Sequence, residues 1–159
     1  MKKEFDFYIY IDYSENLVGY VIIEKTKIRE IIPKISKLRH YKDVKHKREY
    51  ASAIKIRFEK EQITDALLKW KIKEVRFNLS IFVDVIEFVK SNNNCEIFLS
   101  VDNNQYYSFM KLLEIVPHQE NIVVIRESCL KKDSVECKLS LIIDNMLNLE
   151  RRKNEYSKH

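Results

Sequence analysis

Between Phe5 and Lys25 the chain reads FDFYIYIDYSENLVGYVIIEK, a pattern that leaves little choice but a β-hairpin. Phe5, Phe7, Ile9 and Ile11 alternate with Asp6, Tyr8, Tyr10 and Asp12. Aromatic and β-branched side chains at a period of two fit a pleated surface. Tyr8 and Tyr10 make the second face half-apolar, so this strand is expected near the middle of a sheet, covered on both sides. Ser14-Glu15-Asn16 breaks the run with turn-forming residues, and Leu17 to Ile23 supplies a second strand. So short a turn implies antiparallel pairing. The second strand holds Gly19, the only glycine of the chain, and glycine inside a strand marks a bulge or a close backbone approach. Asp12 then sits at a strand end beside a turn, where it can meet a ligand or cap the turn with its own carboxylate.

The remaining elements follow from period and punctuation. In Lys27 to Leu38, Ile28, Ile31, Ile32 and Ile35 fit helical spacing, but Pro33 disfavours a helix interior. A third antiparallel strand, or a strand plus turn, is expected there. Glu49 to Lys71 reads as a helix that can restart at Thr64, Lys73 to Phe82 as a strand, and Val83 to Lys90 as a short helix. After the loop Ser91–Asn94, Cys95 to Val101 is a strand ending at Asp102, and Gln105 to Val116 is a helix stopped by Pro117. Asn121 to Ile125 is a continuous apolar run, as in a buried parallel strand. Ser134 can cap a last helix reaching about Arg152, without a capping box. Strands that pair first and then alternate with helices imply an antiparallel half joined to a parallel half. Residues 1–150 form one domain in this reading, followed by a charged tail at 151–159.

Composition excludes several classes. At 159 residues the chain can bury a core without disulfides or metals. Cys95, Cys129 and Cys137 show no metal-ligand spacing and fit a reduced, cytoplasmic protein. No secretory signal and no membrane-length apolar run is visible, so a membrane is not an expected partner. With one glycine, a glycine-rich nucleotide loop is excluded. The formal net charge of +5 favours an anionic partner, nucleic acid first. The most basic run, RHYKDVKHKR at 39–48, interleaves Tyr41, His40 and His46 with cations. Lys42, Lys45, His46, Lys47 and Arg48 are the expected nucleic-acid contacts, because cations hold phosphates and rings stack on bases. The same run also suits a plain solvated loop.

Three carboxylates sit in telling places. Asp12 and Asp102 end strands, and ligand sites of open α/β sheets form beyond the carboxyl ends of strands. Asp144 interrupts the apolar stripe of the last helix, in line with Leu141, Cys137 and Asn148, where a charge must be paired, hydrogen-bonded or bound to a cation. Converging carboxylates repel one another, and oxygen ligands select Mg²⁺ or Mn²⁺ to resolve that repulsion. Two such ions can activate water and stabilise a leaving oxygen. Against this, Asp102 before Asn103-Asn104 is also a good helix cap.

Tyr10-Ile11-Asp12-Tyr13-Ser14-Glu15, Phe98-Leu99-Ser100-Val101-Asp102, and Ile125-Arg126-Glu127-Ser128 followed by Leu139-Ser140-Leu141-Ile142-Ile143-Asp144 together resemble the RNase H-like superfamily. Within it, the chain resembles a prokaryotic branch whose first strand ends Tyr-Ile-Asp-Glu-Ser-Gly. The resemblance implies an α/β fold with a mixed sheet, antiparallel strands followed by parallel ones, flanked by helices. It implies a divalent-metal-dependent nuclease with Asp12, Asp102 and Asp144 as metal-holding catalytic residues. Glu15, Glu49 and Glu127 are candidates for a fourth carboxylate. Tyr13 replaces the branch's Glu, Glu15 its Gly, and Leu141 a Gln. These departures leave a second form open, an inactive relative that binds nucleic acid or a protein, a second copy of the chain included.

Overall fold

The computed structural model describes residues 4–117, 119–126 and 130–157, and of 154–157 only the backbone. Strands β1 (Phe7–Ser14) and β2 (Leu17–Glu24) form the expected hairpin, in register from Phe7 opposite Glu24 to Ser14 opposite Leu17. Helices α1 (Ile28–Lys34) and α2 (Lys47–Lys60) follow, then β3 (Lys69–Glu74) and α3 (Asn78–Ser91). Strand β4 (Cys95–Ser100), α4 (Asn103–Leu113), β5 (Ile122–Arg126) and α5 (Val135–Ser157) complete the chain. The sheet order is β3-β2-β1-β4-β5. β1, β2 and β3 pair antiparallel, and β4 and β5 run parallel to β1. This is the mixed α/β sheet that the RNase H-like resemblance implies.

β1 is central, and its two faces feed two cores. Ile9 and Ile11 pack with Val18, Tyr20 and Ile22 beneath α3 and α4. Tyr10 packs with Leu17, Val21 and Ile23 beneath α5, and stacks on Phe98 of β4 at 4.5 Å between ring centroids. Beyond α5 lie Ile31 and Ile35 of the α1 region and Ile54 and Phe58 of α2. Covered on both sides, α5 is buried without a break from Ile142 to Asn148.

Three sequence expectations fail. Lys27–Leu38 contains no strand. α1 is so short that Pro33 falls in its last turn, forgoing a single helical bond, and Ile31 and Ile35 gain full burial in return. The helix expected to reach Lys71 ends at Lys60. Gln62 adopts a φ of 53°, outside helical space, and Lys69–Glu74 becomes an edge strand with Trp70 and Ile72 on the α5 side. The strand expected at 73–82 therefore begins earlier, at Lys69, and ends at Glu74. The following segment is helical, because Ile81, Phe82, Val85, Ile86 and Val89 form one buried stripe. α5 continues to Ser157, into the residues expected as a tail, and Ser134 caps its start by accepting the Cys137 N–H at 3.1 Å.

Gly19 explains itself. It pairs with Asp12, and a Cβ built there would lie 2.9 Å from the Lys71 carbonyl oxygen and 3.1 Å from Ile143 Cδ1 of α5. The helix thus rests directly on the backbone beside Asp12. Gly19→Ala should cost about 1–3 kcal/mol by overpacking, read as a fall of several degrees in melting temperature. An unchanged melting temperature would contradict this close approach.

On the opposite face Lys71 Nζ lies 3.0 Å from Asp84 Oδ2, which also accepts the Tyr20 hydroxyl at 3.1 Å. Burial works to raise the Asp84 pKa, but the bonds from Lys71 and Tyr20 outweigh it and hold the carboxyl below its usual value. Since the folded pKa is the lower one, this stabilisation is present at neutral pH and lost as pH falls through the folded value. Below about pH 4, wild type should lose stability more steeply than Asp84→Asn. Parallel stability–pH curves would contradict the pairing.

Candidate functional site

Asp12 ends the apolar run of β1, and its even position turns it, like Tyr10 and Ser14, toward α5. It is 7% exposed, and its Oδ1 accepts the Tyr13 backbone N–H at 2.7 Å. Asp144 is also 7% exposed, and its Oδ2 accepts the Tyr41 backbone N–H at 2.9 Å.

Two contacts set the register between helix and strand. The Tyr10 hydroxyl donates to the Glu136 carbonyl at 3.0 Å, and the Ser14 hydroxyl donates to Asn148 Oδ1 at 2.9 Å. Asp144 lies about one helical turn before Asn148 on the same ridge, about 6 Å along the axis. Asp12 lies two residues before Ser14 on the same strand face, about 6.8 Å back. Asp12 thus lies on the face of β1 turned toward α5, and Asp144 lies one turn from Asn148, the α5 residue that meets Ser14.

Asp102 is placed differently. Its Oδ1 accepts the Gln105 N–H at 2.8 Å as the cap of α4, and the residue is exposed. Its charge acts on Tyr13, whose hydroxyl has its pKa raised first by burial and then by Asp102. Tyr13 packs on the α3/α4 side of the sheet, the side away from α5. Among the described residues, no three His, Cys, Asp or Glu side chains gather into a group able to hold a metal. Glu15 pairs with Arg151 at 3.1 Å, Glu49 is exposed in the first turn of α2, and Glu127 lies outside the described residues. Glu15 has a φ of 51°, a turn conformation that favours glycine.

A cleft of about 880 Å³ opens at the carboxyl ends of β4 and β5. Ser100, the register partner of Asp12, and Ser140, one turn before Asp144, both line it. Arg39, Lys42, Arg126, Lys132 and Lys138 give it a basic wall, against Asp43 and Asp133. The basic segment is held over α5 by groups that the sequence did not single out. Asn145 Nδ2 donates to the Arg39 carbonyl at 3.0 Å, and its Oδ1 accepts the Tyr50 hydroxyl at 2.8 Å. The same hydroxyl accepts the Arg39 N–H at 2.8 Å. Burial raises the Tyr50 pKa, and the Asp144 charge adds to that. The sequence signal for these roles was present but indistinct: Asn145 and Asn148, like Asp144, are polar residues in an apolar stripe.

Of the expected nucleic-acid contacts, Lys42 faces the cleft and Arg48 a second groove farther along. Lys45 and His46 are exposed. Lys47 folds back, donating to the Val44 carbonyl at 2.9 Å and lying 5.8 Å from the centre of the Tyr41 ring.

No protein-family model matches the chain, and no curated protein matches it. Among solved structures it is similar to a chain in the PCNA:RNase HII complex from Archaeoglobus fulgidus. That match has 10% identity and a TM-score of 0.49, and spans 95% of this chain and 73% of that one. No helix among the described residues is long and apolar enough to cross a membrane.

Tyr50→Phe should remove the hydroxyl that ties Arg39 to Asn145, at a cost of about 1–2 kcal/mol. Amide exchange at Arg39 and Tyr41 should accelerate while the circular dichroism of the helices stays the same. Unaltered exchange would show that the basic segment is held by other means.

Proposed function

We propose that the chain is a divalent-metal-dependent nuclease that draws the phosphodiester backbone of nucleic acid into the basic cleft and cleaves it beside Asp12 and Asp144. The observation that supports this reading is the burial of these two carboxylates, Asp12 on the α5-facing side of the central strand and Asp144 on α5, while Ser100, the register partner of Asp12, and Ser140, one turn before Asp144, line a cationic cleft. A buried carboxylate must be paired, hydrogen-bonded or bound to a cation, and carboxylate oxygens suit a divalent one.

The donor set fits Mg²⁺ or Mn²⁺. Both side chains offer only oxygen, and Mg²⁺ is commonly held by one or two carboxylates completed by water and substrate phosphate oxygens. Asp12 and Asp144 would hold the ion, with Asp102 at the margin of the site. When bound, the ion would polarise the phosphoryl group and lower the pKa of an attacking water. The chain's own residues have separate tasks. The N–H groups of Tyr13 and Tyr41 orient the two carboxylates. Arg39, Lys42, Lys132 and Lys138 attract and align the phosphates. A cytoplasmic setting goes with this reading, because it keeps the free thiols of Cys95 and Cys137 reduced.

One observation favours a second reading, a catalytically inactive module that binds nucleic acid or a partner protein such as a second copy. Asp102 caps α4, and among the described residues no three His, Cys, Asp or Glu side chains gather into a group able to hold a metal.

The test is cleavage of end-labelled DNA and RNA with Mg²⁺ or Mn²⁺. Wild type should cut, and Asp12→Asn and Asp144→Asn should lose cutting while retaining binding. Salt-sensitive binding with no cleavage by any form would select the module. Cleavage unchanged in Asp12→Asn would overturn the proposed site.

A further inference from the structure

A second groove, of about 650 Å³, lies on the far side of the basic segment, between α2, the edge strand β3 and the last turns of α5. Its composition is unlike that of the cleft. The floor is apolar, with Trp70, Ile72, Phe58, Met146 and Leu149, and the rim carries Arg48, Lys55, Arg152 and Lys153 against Glu59 and Glu150. Trp70, the only tryptophan of the chain, stays 46% exposed there.

We infer that this groove takes the unpaired bases of single-stranded nucleic acid, with Trp70 as the stacking platform. The inference rests on the reading of the chain as a nucleic-acid-binding protein and names its substrate class.

An apolar floor under a cationic rim fits a ligand with flat apolar faces and an anionic backbone. A single strand presents both, whereas a duplex keeps its bases stacked inside. Base–aromatic stacking above a basic track is how sequence-tolerant single-strand sites are built. Charge complementarity also argues against a protein strand pairing with the exposed edge. β3 carries Lys69, Lys71 and Lys73, and lysines on an edge strand discourage such pairing.

Cleft and groove are joined. The basic segment enters the cleft at Arg39 and Lys42, crosses exposed positions Lys45 and His46, and reaches the groove at Arg48. Arg152, on the groove rim, donates to the Tyr41 hydroxyl at 3.2 Å, and the Tyr41 N–H in turn orients Asp144. A strand whose bases rest on Trp70 can thus pass its backbone over the basic segment toward the carboxylate pair.

The lone tryptophan makes the test direct. A twelve-residue oligothymidylate is titrated into the full chain, following tryptophan fluorescence with unlabelled strand and anisotropy with fluorescein-labelled strand. Binding should quench the fluorescence. Trp70→Ala should weaken affinity about 10-fold, within the range of one stacked base, and Lys55→Glu, at an exposed rim position, should weaken it as well. A duplex of equal length should bind without quenching. Binding of the single strand with neither quenching nor loss in either variant would overturn the groove assignment and leave the cleft reading intact. Absence of binding to single strand and duplex alike would overturn both. Quenching by oligoglutamate but not by oligothymidylate would assign the groove to an acidic protein partner and overturn the inference.

Discussion

The direct seating of α5 on the backbone of the hairpin determines most of what is distinctive in this structure. At Gly19 there is no room for a side chain between the β2 backbone and Ile143, so the helix approaches the sheet beside Asp12. That approach brings the polar ridge of α5 into reach of β1, where Asn148 meets Ser14. It also leaves α5 enclosed, so that its polar side chains must find partners inside the protein. Asp144 and Asn145 find theirs in the main chain of the segment from Arg39 to Tyr41. One steric allowance therefore positions Asp144 and Asn145 and, through them, a cationic loop.

This explains why a segment rich in lysine and arginine is ordered. Exposed basic runs are ordinarily solvated and gain little from fixed geometry. Here the fixed points are backbone groups: the N–H of Tyr41 bonds to Asp144, and both the N–H and carbonyl of Arg39 bond to the Tyr50 and Asn145 side chains. Of the cations, Arg39 and Lys42 line the cleft, Arg48 lines the groove, and Lys47 folds back on the segment itself. In the proposed complex a phosphate backbone would meet a loop whose main chain is already fixed, which would lower the ordering cost of binding.

The central hairpin, β4, β5 and the last helix were legible because their patterns are unambiguous. Strict alternation at Phe7–Ser14 and a long apolar stripe in α5 each admit one period. The middle of the chain was less so. Ile28, Ile31, Ile32 and Ile35 point to a helix, and Pro33 opposes one only in a helix interior, whereas in so short a helix it lies near the end. Trp70 and Ile72 extended an apparent helical stripe, although Lys69, Lys71 and Lys73 alternate with them as in an edge strand. Both errors concern where an element ends, which depends on tertiary pairing that spacing does not encode. The site divided in the same way. Asp12 and Asp144 stood out as charges in apolar runs. The cap at Asp102 is local, and Asp102-Asn103-Asn104 already offered it, whereas the support from Tyr50, Asn145 and Asn148 depends on which faces of β1 and α5 meet.

The central claim is that Asp12 and Asp144 act as one cation-binding unit. Calorimetric titration of Mn²⁺, in the presence of a short oligonucleotide, into wild type, Asp12→Asn, Asp144→Asn and Asp102→Asn tests it most directly. The account predicts stoichiometric binding in wild type, its loss in each of the first two variants, and its retention in Asp102→Asn. Binding that survives both Asp12→Asn and Asp144→Asn, or its absence from all four proteins, would contradict it.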